Sequence, residues 1–183
     1  MRAFLALELP IDVKEYLSAC AKSMSQRVLG VKWVKAEGQH VTLKFFGDIT
    51  DNKVQEIESA LAGIDQQHAA VPARIKEINA FPDLRRARVI VVSFQEGVDN
   101  ARAIFHDIEN RLHILGIAKE QREFIPHITL GRIKAPAPLL RKDMLSLEEK
   151  RFFLENLVLY QSTLTKEGAL YTPLKEIKLE RNI

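Results

Sequence analysis

Gln39-His40-Val41-Thr42-Leu43-Lys44-Phe45-Phe46-Gly47 decides the fold, because a second stretch, Ile125-Pro126-His127-Ile128-Thr129-Leu130-Gly131-Arg132, echoes it. Both carry His-x-Thr-x with apolar x, and both read as strands. A strand sends successive side chains to opposite faces. His40, Thr42 and Lys44 are therefore expected on one face, with Val41, Leu43 and Phe45 on the other. In the second stretch His127 and Thr129 share a face and Ile128 and Leu130 lie opposite. Each strand buries an aliphatic side and presents an imidazole beside a hydroxyl.

Outward from these strands the chain repeats itself. The first motif is preceded by an apolar strand at 2–9, closed by Pro10, and by a helix from Val13 to Val28. That helix carries Val13, Tyr16/Leu17, Cys20, Met24 and Val28 on one stripe, with Asp12 and Glu15 as a capping box and Gly30 after its end. The second motif is preceded by a β-branched strand at 88–94 and a helix at 98–115 with its own apolar stripe. Phe4 and His40 stand 36 residues apart, Val89 and His127 stand 38 apart. The spacing predicts an internal repeat, approximately 2–47 and 88–132, and two lobes related by a pseudo-twofold with both histidines pointing into one cleft.

Between and after the repeats, Thr50 or Asp51 opens a helix with Val54, Ile57, Leu61 and Ile64 on one side. Val71–Phe81 reads as a strand, and Pro72 marks either an edge or a strand beginning. Ala135–Pro138 reads as a short stiff loop, Leu139–Leu147 as a short helix, Phe152–Ser162 as one strand, and Ala169–Leu179 as its hairpin partner.

The 183 residues suit one domain, residues 1–183, and the mix of 46% hydrophobic and 28% charged residues is that of a globular protein. With a single cysteine there is no intramolecular disulfide and no cysteine-rich metal site, and Cys20 is expected in the core. MRAFLALELP is interrupted by Glu8 and Pro10 too early for a signal peptide, and no apolar run reaches the ~20 residues of a membrane span. These features point to a cytoplasmic protein. The net charge is +3. Basic groups gather at Arg85-Arg86-Ala87-Arg88, at Lys32, Lys35 and Lys44, and at Arg132 and Lys134, which suits an anionic ligand as well as plain solvation of strand ends.

Two imidazoles form a ready acid/base couple, since histidine titrates near pH ~6.5. One can take a proton from a nucleophile while the other gives a proton to a leaving group. In-line displacement at phosphorus needs both at once, on opposite sides, and a twofold-related pair supplies that opposition. Each threonine hydroxyl can donate to a non-bridging phosphate oxygen. The alternative is zinc, but no cysteine, no His-x3-His pair and no acidic residue at short ligand spacing accompanies the histidines. His106 and His113 fall on the polar side of their helix and His68 in a loop-like segment, so all three are expected in solvent. There is no Gly-x-Ser-x-Gly and no phosphate-binding glycine loop.

The paired motifs resemble those of the 2H phosphoesterases. The run Arg2-Ala-Phe4…Leu9-Pro10, Trp33, His40-Val-Thr-Leu-Lys-Phe-Phe-Gly47, Phe124-Ile-Pro-His127-Ile-Thr-Leu-Gly-Arg132 and Tyr171-Thr-Pro-Leu174 is similar to the RNA 2′,3′-cyclic phosphodiesterases, first named 2′-5′ RNA ligases, over essentially the whole chain. Phe46 departs from the aliphatic residue usual in the family. The resemblance implies an α+β, duplicated two-lobe fold, with antiparallel sheets lining a central cleft and helices packed outside. It implies RNA or a nucleotide ending in a 2′,3′-cyclic phosphate as substrate, a 2′-phosphate as product, no cofactor and no metal. Carried over by motif, His127 is the proton acceptor, His40 the proton donor, and Thr42 and Thr129 bind the phosphate. Arg132 is a further candidate for the phosphate, although simple alternation puts it opposite His127, so that a bulge is required. A monomer is the expected state. Reversible 2′-5′ ligation in the same site, and a non-catalytic RNA-end-binding module, are the alternatives.

Overall fold

The computed structural model describes residues 1–166 and 168–182. In chain order its elements are β1 (Arg2–Glu8), α1 (Ile11–Ser25), β2 (Val31–Trp33), β3 (His40–Asp48), α2 (Asp51–Ala60), α3 (Ile64–Gln67), β4 (Val71–Phe81), β5 (Ala87–Glu96), α4 (Val98–Ile114), β6 (His127–Ala137), β7 (Arg151–Leu154), β8 (Asn156–Thr165) and β9 (Gly168–Lys178). They form two antiparallel sheets, ordered β3-β1-β8-β9 and β2-β6-β5-β4-β7. The fold is α+β, as the sequence predicts. β1-α1-β3 and β5-α4-β6 occupy corresponding places, one in each sheet, and each motif strand pairs with the first strand of its own half.

Alternation divides β1 cleanly. Ala3, Leu5, Leu7 and Leu9 join the hydrophobic core, while Phe4, Ala6 and Glu8 face the other way. Val41 and Leu43 from β3, and Ile90, Val92, Ile128 and Leu130 from β5 and β6, belong to the same core, together with Val13, Leu17 and Met24 of α1 and Ala101, Ile104, Phe105, Ile108 and Leu112 of α4. The helices thus cover one face of the sheets, and the other face lines the cleft.

Several boundaries differ from the sequence reading. Helix α1 begins at Ile11 behind Pro10, with no side-chain cap, so Asp12 lies inside the first turn. There its carboxylate meets the positive end of the helix dipole instead of capping it. Thr50 does cap α2, its hydroxyl accepting from the Lys53 amide at 3.2 Å. The expected helix from Thr50 or Asp51, with apolar positions as far as Ile64, breaks at Gly63, whose φ of 75° no helical residue shares. β4 is not an edge strand, because β7 pairs beside it, and Pro72 stands at its beginning. Ala135-Pro136-Ala137 continues β6 instead of forming a loop, and Leu139–Leu147 contains only a single 3-10 turn at Arg141–Asp143. Phe152–Ser162 is two strands: β7 joins the five-stranded sheet and β8 the four-stranded one, the chain crossing at Glu155, whose carbonyl accepts from the Leu179 amide. The β8–β9 hairpin is as expected. Cys20 is buried. None of the described helices is long and apolar enough to cross a membrane.

Candidate active site

Both motif strands carry an extra residue at the same place. Across β1, Ala6 opposes Thr42 but Leu5 opposes Lys44, so Leu43 has no partner. Across β5, Val91 opposes Thr129 but Ile90 opposes Gly131, so Leu130 has none. A bulge of this kind places two successive side chains on one side and reverses the alternation after it. The expectation that Lys44 shares a face with His40, and Phe45 with Val41, is therefore corrected. Lys44 turns to the helix side, where its ammonium pairs with Glu109 of α4 at 2.7 Å and donates to the Ala118 carbonyl at 2.7 Å. Phe45 turns to the His40 side. On β6 the same shift supplies the bulge that Arg132 requires, and brings it to the His127 side.

His40 lies in an aromatic bed. Its ring stacks on Phe4, centroids 4.8 Å apart, and meets Tyr171 edge-on at 5.6 Å. Phe4 in turn stacks on Tyr160 at 5.2 Å. Directly opposite His40 on β1 is Glu8, which pairs with Lys14 of α1 and accepts a hydrogen bond from the Tyr160 hydroxyl at 2.6 Å. Burial, and then that bond, push the Tyr160 phenol above its ordinary range. Burial also lowers the pKa of the His40 imidazole from 6.5 to about 4, and the Lys14 and Arg132 cations act in the same direction. His40 is thus neutral at pH 7 in the free protein.

His127 meets the edge of Phe81, centroids 4.9 Å apart. Its Nδ1 is 2.7 Å from the Ile125 carbonyl oxygen. A carbonyl only accepts, so Nδ1 carries the hydrogen and Nε2 keeps its lone pair. Burial lowers the His127 pKa, the Ile125 carbonyl opposes that, and Arg132 adds to it. The guanidinium of Arg132 thus acts on both imidazoles, and β3 and β6 run close to one another. The two histidines, Thr42, Thr129 and Arg132 come together at this cleft. Both threonines are half-buried beside their histidines.

The other candidates scatter. His106 and His113 are exposed as expected. His68 is not: its Nε2 is 3.0 Å from an oxygen of Asp107, which also holds Arg111. Among the described residues no group of three or more His, Cys, Asp or Glu side chains converges as a ligand set. Glu8, Lys14, Phe4, Phe81 and Tyr160 escaped the sequence reading. For Phe4 and Glu8 the signal was available, since alternation along β1 puts them on the face away from the leucines.

A family model described as LigT like Phosphoesterase matches the chain twice, over residues 7–91 and 92–171. The chain belongs to that family, within the 2H phosphoesterases. An RNA 2′,3′-cyclic phosphodiesterase of Methanocaldococcus jannaschii is 32% identical over 181 residues, 96% of this chain and 99% of the relative. One of Aquifex aeolicus is 29% identical over 185 residues, 98% and 97%. Among solved structures, TT0787 of Thermus thermophilus superposes with a TM-score of 0.85 at 25% identity over the whole of both chains. E. coli LigT complexed with 3′-AMP gives 0.77 at 21% identity over 97% of each chain, a likeness of fold.

Proposed function

We propose that this protein hydrolyses the 2′,3′-cyclic phosphodiester at the end of an RNA or nucleotide to a 2′-phosphomonoester, without a metal. The name of its curated relatives supports the substrate class. The observation that carries the mechanism is the pairing of two imidazoles, one with a bare Nε2, in a cleft that also holds two hydroxyls and a guanidinium.

Water attacks phosphorus from the His127 side. Nε2 of His127 takes its proton, and the imidazolium that forms keeps its Nδ1–H on the Ile125 carbonyl. The P–O3′ bond breaks on the opposite side, and the leaving 3′ oxygen takes its proton from His40. That step needs His40 charged, whereas burial and two cations keep it neutral in the free protein. The negative phosphate brings the opposing charge that raises its pKa, so substrate binding arms the acid. Thr42 and Thr129 donate to the non-bridging oxygens and Arg132 balances their charge. After one turnover His127 holds a proton and His40 lacks one, and exchange with solvent resets the pair. With an RNA 5′-hydroxyl in place of water, the same steps join two RNA ends through a 2′-5′ linkage, and their reversal cleaves it.

This reading takes residues 1–183 as a single bilobal domain, its halves 2–47 and 88–132 related as repeats, acting as a cytoplasmic monomer. The test is incubation with a short RNA bearing a 2′,3′-cyclic phosphate in the presence of EDTA, beside a His127→Ala variant. A 2′-phosphate product from the wild type, and a variant slower by about 10²-fold or more, is the expected result. No turnover by the wild type, or an undiminished variant, overturns the acid/base pair.

A further inference from the structure

Lys14 breaks two local rules at once. It stands in the first turn of α1, where the helix dipole is positive and a cation is unfavourable. It is also only 7% exposed, between Val13 and Leu17 of the buried stripe, and lysine is almost never buried unless paired. Its partner is Glu8, at the end of β1. An aliphatic residue at this place would extend the stripe of α1 without either cost. Local rules broken together in this way mark a functional site more often than a structural one.

The place of Glu8 explains the pair. Glu8 lies directly opposite His40 across the β1–β3 ladder, where facing side chains are within reach of each other. A free carboxylate there would close on the imidazole and hold it as a charged pair. Such a histidine keeps its proton and points at Glu8, away from a leaving oxygen. Both oxygens of Glu8 are engaged elsewhere. One meets the Lys14 ammonium, and the other accepts from the Tyr160 hydroxyl at 2.6 Å. Among the described residues no hydrogen bond joins Glu8 to His40. The remaining groups around the ring offer no anion in its place. β8 and β9 present the rings of Tyr160 and Tyr171, and Glu176 of β9 acts on Tyr160. β6 presents the Arg132 cation, and Lys44 of β3 is turned away to Glu109.

We propose that Lys14 is a positioning residue of the active site: with the Tyr160 hydroxyl it occupies the Glu8 carboxylate, and so keeps His40 out of an ion pair and free to act on the leaving oxygen. This role rests on the proposed hydrolysis, with His40 as the acid. It also sets the two histidines apart. His127 is oriented by a bond of its own to the Ile125 carbonyl, whereas His40 is kept loose by bonds made between its neighbours.

The test is the ring-proton titration of His40 by NMR in the full chain, without substrate. Wild type titrates at about 4. In Lys14→Met the released carboxylate turns to the ring, and the midpoint rises to about 5 or higher, a proton held at least ~10-fold more tightly. Glu8→Gln added to Lys14→Met removes most of that rise. Tyr160→Phe keeps the ring and the ion pair but frees one oxygen of Glu8, so it gives a smaller rise, and it serves as the test if Lys14→Met does not fold. Lys22→Met, which removes an exposed lysine from the same helix, leaves the midpoint where it is. With adenosine 2′,3′-cyclic phosphate as substrate, the optimum of kcat/KM moves to higher pH in Lys14→Met and returns in the double variant. A midpoint unmoved in Lys14→Met, or in Tyr160→Phe where the lysine variant does not fold, overturns the proposal. So does a rise that persists in full without Glu8, which marks a lysine acting on the ring by its own charge alone. Hydrolysis of no cyclic phosphate by the wild type overturns the phosphodiesterase reading, while the titrations, made without substrate, decide the part played by Lys14.

Discussion

His127 donates its Nδ1–H to the carbonyl of Ile125, two residues earlier in the chain, at 2.7 Å. The bond fixes one tautomer and leaves Nε2 as the only basic nitrogen of the ring. A ring ¹⁵N spectrum at neutral pH is expected to show the Nδ1–H form alone. His127→Ala and His40→Ala are each expected to lower kcat by about 10²- to 10⁴-fold. The proposed mechanism has the two act in one step, which predicts that the double variant falls little further than the worse single one. Additive losses would mean that the imidazoles act separately.

The histidine charges give a prediction in pH. Burial and the Lys14 and Arg132 cations hold His40 at about 4, and His127 also lies below its ordinary 6.5. Between about 4 and 6.5 the folded protein therefore binds fewer protons than the unfolded chain, and stability falls as pH drops through that window. The urea midpoint of wild type should decline from pH 7 to pH 5, and His40→Gln should flatten part of that decline. Arg132→Gln removes a cation that lowers both rings, so both ring-proton titrations should move upward. Adenosine 2′-monophosphate should raise the His40 midpoint as well; a midpoint that stays at about 4 with this anion bound contradicts the arming of the acid by substrate.

Thr42 and Thr129 offer hydroxyls beside the histidines. Hydrogen bonds to a charged group contribute roughly 1.5–3 kcal/mol. Thr42→Val and Thr129→Val keep the shape and lose the donor, so each should lower kcat/KM by about 10- to 10²-fold, and serine at either place should recover most of it. Steady-state kinetics on the cyclic phosphate decide this.

Gly97 opens α4 with φ at 90°, and a Cβ there would lie 2.7 Å from the Pro72 carbonyl oxygen. Gly116, after the same helix, also has a positive φ but open space around it. Alanine at Gly116 should cost about 1–2 kcal/mol, the left-handed penalty alone. Alanine at Gly97 should cost more, since backbone must also shift. Chemical denaturation of the two variants measures the difference.

What the sequence revealed and what it hid follow physical lines. Period-two and period-3.6 patterns marked the motif strands and both long helices, because each buries one face. The histidines and threonines were visible as residue types at a repeated spacing. The bulges were not, because Leu43 and Leu130 are as apolar as alternation expects and an unpaired residue leaves no mark on composition. Hence strict alternation puts Lys44 and Phe45 on the wrong faces. The split of Phe152–Ser162 was hidden for a similar reason: β7 and β8 are both apolar, and only their partners, β4 and β1, tell them apart. Ion pairs such as Glu8 with Lys14, or His68 with Asp107, depend on docking that no local pattern reports.

The unpaired leucine recurs at the same place in both motif strands and shifts what each presents next. Two like strands facing one cleft begin as mirror tools, unable to tell one end of a phosphodiester from the other. With strict alternation, the next outward-facing residue would lie two steps beyond each threonine, at Lys44 and Gly131. The extra residue moves that place to Phe45 and Arg132. The four motif side chains keep their symmetry, while the position beyond them is free to become oily on one strand and cationic on the other. The two strands thus differ just past the shared bulge at Leu43 and Leu130.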